Sequence, residues 1–71
     1  MNTATIGQSA GLVWEVLNEA QAMDTKQLRK LTKLKEKEFY AALGWLARED
    51  KLLFEESEDG KELIVSLVQD K

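Results

Sequence analysis

The sequence predicts an α+β domain in which three helices precede a two-stranded β-hairpin. Three observations predict it. Apolar residues recur at helical spacing in three segments before Asp50, and only a few residues around Leu34 join the second segment to the third. Asp59-Gly60 then separates two runs of strand-forming residues near the end of the chain. At 71 residues the chain is one domain, close to the lower size at which a hydrophobic core alone holds a fold together. Large apolar side chains left outside that core are therefore candidates for a partner surface.

Met1 to Ala4 reads as a flexible N-terminus and residues 5–71 as the domain. Thr5 and Gln8 have the spacing of a capping box, and beyond them Leu12, Val13, Val16, Leu17 and Ala20 share one face, so the first helix is expected from about Ile6 to Ala20. A short strand near residues 22–24 follows. Asp24 or Thr25 caps the second helix, with Gln27 three positions after Asp24 and with Leu28 and Leu31 turned to the core. Thr32-Lys33-Leu34 is too short to wander, so the next helix leaves at a sharp angle with Leu34 tucked into the corner, which is a helix-turn-helix arrangement.

The third helix is expected from about Lys35 to Asp50. Phe39, Ala42, Leu43 and Leu46 share its core face, and Glu36 and Glu38 sit beside the positive end of its dipole. Leu52 to Glu56 and Glu62 to Val68 flank Ser57 to Lys61, where Asp59-Gly60 supplies the positive φ of a tight hairpin.

Composition narrows the function. There is no cysteine and no histidine, which removes disulfides, thiol nucleophiles and the commonest neutral-pH base and metal ligand. The carboxylates at Glu55, Glu56, Glu58 and Asp59 lie in or beside a turn, where water keeps them ordinary acids. The expectation is a protein that is not an enzyme and takes no cofactor or metal. Met1 to Ile6 carries no positive cluster, and no apolar run approaches the length of a membrane span, so the chain reads as cytoplasmic with no membrane contact.

A net charge of −3 opposes the wrapping of a polyanion, so local charge decides. Between Thr25 and Lys33, Lys26, Arg29, Lys30 and Lys33 stand with no acid, a local charge of +4. The third helix sums to −1. Between Glu55 and Glu62 five acids face Lys61 alone, a local charge of −4. On the third helix the face opposite the core carries Lys37, Ala41, Gly44 and Arg48, with Tyr40 at its edge. Glycine there lowers helix propensity, and close packing against the hairpin is the expected reason for it. Trp45 is expected at the edge of the core. On the first helix Gly7, Gly11, Trp14 and Asn18 form an uncharged face with one large anchor, suited to a dimer contact, and Ile64 and Val68 on the last strand are further candidates for a partner's cover.

Three helices, a turn of three or four residues between the second and third, and a closing hairpin resemble the winged helix-turn-helix domain family of DNA-binding domains. Within it, Ile6-Gly7, Ala10-Gly11, Val13-Trp14 and Ala42 to Glu49 resemble a group of small stand-alone bacterial proteins of uncharacterised function. The resemblance implies the fold, with the hairpin as the wing, and a homodimer. It also implies a third helix set in the major groove and a wing on the neighbouring backbone or minor groove. Two functions follow as expectations. One is a DNA-binding transcriptional regulator with contacts at Lys26, Arg29, Lys30, Lys33, Lys37 and Tyr40. The other is a protein-protein interaction module that uses the fold as a scaffold and binds no nucleic acid. The acidic wing departs from the DNA-binding pattern.

Overall fold

The computed structural model describes residues 1–68; the last three positions of the expected domain lie outside the described residues. The order is α1 (Thr3–Ala20), β1 (Ala22–Asp24), α2 (Thr25–Thr32), α3 (Glu36–Arg48), β2 (Leu52–Glu56) and β3 (Leu63–Leu67). The three strands form one antiparallel sheet in the order β1-β3-β2. Three helices and a small sheet are what the sequence predicts, including the strand at 22–24.

Helix α1 begins earlier than Thr5 and Gln8 suggest. The Asn2 side chain accepts from the Thr5 backbone N–H at 2.9 Å, and the Thr5 hydroxyl accepts from the Asn2 N–H at 2.9 Å. This reciprocal cap satisfies two N–H groups that a start at Ile6 would leave to water, so Thr3 and Ala4 join the helix. Asp24 caps α2 as predicted, accepting from the Gln27 N–H at 2.9 Å. At α3 the weak cap at Lys35 is supplemented from inside the helix, where the Glu38 carboxylate accepts from the Lys35 N–H at 3.4 Å. This helix closes two residues before the predicted Asp50. Asp50 takes a left-handed φ of 58°, and the N–H groups of Asp50 and Lys51 donate to the carbonyls of Ala47 and Leu46. That pattern satisfies the last carbonyls and turns the chain into β2.

The core lies between α1, α3 and one face of the sheet. Val13, Leu17, Leu28, Phe39, Ala42 and Val65 are fully buried, with Ala10, Leu43, Leu46, Leu52 and Leu67 around them. Leu34 packs against this cluster from the corner between α2 and α3, as predicted. Two leucines expected inside are not: Leu12 is 46 % exposed and Leu31 50 %. The core stripe of α1 runs through Ser9, Ala10, Val13 and Leu17, about 100° of helix away from Leu12. Helix α2 has eight residues and is anchored by Thr25 and Leu28, so Leu31 falls on its rim once Leu34 fills the corner.

A candidate nucleic-acid interface on α2

The seating of Leu28 in the core decides what α2 shows to solvent. With that side chain inside, Lys26, Arg29 and Lys30 project outward on the opposite face. Lys33 ends the helix in a left-handed conformation, φ 62° and ψ 19°, and its N–H donates to the Arg29 carbonyl. Positions i, i+3, i+4 and i+7 bring the four cations onto one side within about 10 Å along the axis. Together with Leu34 they line an open concavity of about 280 Å³. Leu34 is the one apolar residue of its lining, and among the described residues no carboxylate lines it. Arg29 and Lys30 stand in the last turn, at the carbonyl end of the helix where positive charge is favoured, whereas Lys26 stands in the first turn without that support. Such a surface offers an anionic ligand charge and charge-assisted hydrogen bonds.

Four of the six residues expected to meet DNA are thus brought together. The other two, Lys37 and Tyr40, are exposed on α3 outside this concavity. The Tyr40 ring stands edge-on to Phe39, with centroids 5.2 Å apart and planes at 75°, which fixes its direction at the margin of the outward face. Farther along that face, Gly44 does not pack against the wing: a Cβ placed there would meet no atom within 4 Å. The expectation failed because the hairpin leaves α3 through the turn at Asp50 and does not fold back over the helix's outer side.

The wing carries the opposite charge. Its tip is a turn closed by the Gly60 N–H to the Ser57 carbonyl at 2.9 Å, with Gly60 at φ 71°. Of the Asp59-Gly60 pair expected to supply positive φ, only Gly60 does so, and the connection between the strands takes in Ser57 to Lys61 as expected. The Asp59 carboxylate accepts from the Ser57 hydroxyl and from the Lys61 N–H. These two bonds, the hydroxyl's first, hold the Asp59 carboxyl below the ordinary aspartate value, so the tip stays anionic. Among the described residues no cluster of acids has a metal-binding arrangement, and no helix is long and apolar enough to cross a membrane.

The residues expected at a dimer contact separate into two surfaces. Gly7, Gly11, Trp14 and Asn18 lie on α1, with Trp14 exposed and with no atom near a Cβ at either glycine. Ile64 and Val68 lie instead on the sheet face opposite Val65 and Leu67. Ile64 is half-buried between its neighbours Asp24 and Glu55, and Val68 is exposed. Trp45, expected at the edge of the core, is exposed at 39 %, much as Trp14 is. Sequence reasoning missed Leu53 and Phe54, both open to solvent. Alternation says that one residue of the run Leu52-Leu53-Phe54 must face away from its neighbours, but only the three-dimensional register says which, and only the extent of helical cover leaves Phe54 open.

A model of the family "Winged helix-turn-helix domain (DUF2582)" matches residues 1–67. The solution NMR structure of protein BT2368 from Bacteroides thetaiotaomicron superposes with a TM-score of 0.78 at 35 % identity, covering 93 % of this chain and 79 % of that one. No curated protein matches the sequence.

Proposed function

We propose that this chain, which belongs to the winged helix-turn-helix domain family, is a small homodimeric DNA-binding module of the transcription-regulator type, cytoplasmic and without enzymatic activity. The observation that carries the reading is the α2 concavity, where four cations surround Leu34 and no acid intervenes. The duplex is held there by its backbone. The exposed Lys37 and Tyr40 extend the contact onto α3. Gly44 and the half-buried Ala41 keep the outward side of that helix low enough for close approach. The wing, at −4, stays off the phosphates, since screening over roughly 8 to 10 Å does not hide five acids laid against a duplex. Pairing with a second copy doubles the number of phosphate contacts and supports a marginal core.

Fluorescence anisotropy with a random-sequence duplex tests the reading. Four phosphate contacts per chain predict that log K falls against log salt with a slope of about −3.6 for a single chain and about −7 for a dimer that engages both concavities. Changing Lys30→Glu and Lys33→Glu together abolishes binding at moderate salt. Absence of binding at low salt rejects DNA as the ligand and leaves the protein-interaction scaffold.

A further inference from the structure

We infer that the homodimer is built by β2 pairing edge to edge with β2 of a second copy, which joins the two sheets into one of six strands. The inference rests on the homodimer reading above and assigns its surface. In the order β1-β3-β2 the strand β2 is an edge. The Ser57 N–H donates to the Glu62 carbonyl and the Val68 N–H to the Lys51 carbonyl, each at 2.9 Å, which fixes the phase of the ladder. Lys51, Leu53, Glu55 and Ser57 turn their backbone groups toward β3. Leu52, Phe54 and Glu56 therefore turn theirs to the open edge.

Edge strands are normally blunted by proline, by a bulge, or by charged side chains within the strand. Here the sequence contains no proline, β2 and β3 pair one to one from Leu52↔Leu67 to Glu56↔Leu63, and the strand's two charges, Glu55 and Glu56, stand together at one end and leave Leu52 to Phe54 uncharged. Apolar side chains flank the edge on both sides of the sheet. Leu53 is 56 % exposed on the outer face, and Phe54 is 42 % exposed on the face of Leu52 and Val65.

The side chains then choose the register. With a two-fold axis at Leu53, that residue meets the partner's Leu53, Leu52 meets the partner's Phe54, and Lys51 meets the partner's Glu55. Leu52 and the partner's Phe54 exchange both of their N–H to carbonyl bonds, and symmetry repeats the pair. Placing the axis at Phe54 instead sets Leu52 against the partner's Glu56 and Leu53 against the partner's Glu55, which desolvates carboxylates without a cation opposite. The first register also brings Asp50 near the partner's Glu56 at each end of the seam, but Asp50 lies in the turn outside β2, and within the strand the pairs of like character and opposite charge favour it. Val68, whose N–H bonds Lys51, and Ile64 lie on the same outer sheet face as Leu53, so the sheet residues expected under a partner fall beside this seam. The outermost strands of the joined sheet are then the two copies of β1, about 24 Å apart at about 4.8 Å per strand step. Each is followed by its own α2, so the two basic concavities lie at opposite ends of the dimer.

Sedimentation equilibrium on the full chain tests this. Phe54→Pro removes an N–H that no partner uses within one copy, so the circular dichroism spectrum is kept while the dimer constant weakens at least a hundredfold. Leu53→Lys replaces an exposed side chain and gives the same loss by opposing two lysines on the axis, independently of any strain from proline. Lys51→Glu weakens the dimer, and adding Glu55→Lys in the same chain restores it. Wild-type association in Phe54→Pro and Leu53→Lys overturns the inference. If Trp14→Ala is the change that dissociates the pair, the α1 face carries it and the homodimer reading survives alone. A wild-type chain that is monomeric at tens of micromolar overturns both.

Discussion

The two halves of this small domain carry opposite charge at nearly equal strength. Helix α2 presents four cations without an acid, and the hairpin presents five acids against one lysine. In a fold whose helix-turn-helix and wing are expected to grip a duplex together, the proposed backbone contact then falls to the helical half alone. The hairpin is then free for another contact, and its bare edge strand offers one. Charge, more than topology, tells the two halves apart.

Removing what the halves share is the most severe way to test their unity. Phe39 is fully buried between them, and Phe39→Ala is expected to destabilise by about 3–5 kcal/mol. Thermal melts followed on α2 amides and on β3 amides are expected to move together; a hairpin that melts separately contradicts a single core. The next effect separates the halves. Lys26→Glu with Arg29→Glu is expected to weaken duplex binding by more than tenfold with little change in melting temperature, measured by anisotropy at fixed salt. A change confined to stability makes the concavity a structural feature.

Gly44→Ala sharpens the account of α3. Among the described residues no atom from outside the helix's own turn lies within 4 Å of the new Cβ, so the exchange is expected to stabilise the helix by up to about 1 kcal/mol. In a chain this size that raises the melting temperature by roughly 4–8 °C per kcal/mol. A lower melting temperature contradicts the open position. Neutralising the wing with Glu58→Gln and Glu62→Gln is expected to change duplex affinity less than threefold, and a tenfold gain shows that the wing lies on the phosphates. The smallest effect is local. The Asp59 carboxyl titrates below its unfolded value, so the stability it lends the turn is present above the unfolded value and is lost as pH falls through the folded one. Ser57→Ala is expected to raise the Asp59 midpoint in an NMR titration.

Much of this was legible in the sequence. The Asp24 cap, the corner at Leu34 and the α3 core stripe follow from spacing alone, because each is a local pattern with one physical solution. The basic stripe was legible too, since four cations at i, i+3, i+4 and i+7 lie on one face of any helix. The start of α1 was misplaced, as the Thr5–Gln8 spacing fits a capping box but the observed reciprocal bonds join Asn2 and Thr5 and draw Thr3 and Ala4 into the helix. Leu12 and Leu31 fit the helical period but lost their cover to Ala10 and Leu34, a competition decided by how the helices cross. The concavity depends on the left-handed turn at Lys33, and the free edge depends on β3 lying between β1 and β2. Neither is encoded in a spacing.

Amide chemical shifts recorded while a duplex is added test the central claim most directly. The account predicts that signals from Lys26 to Leu34 move first and furthest, while those from Ser57 to Glu62 stay in place. Movement of the hairpin signals with a silent α2 would contradict it.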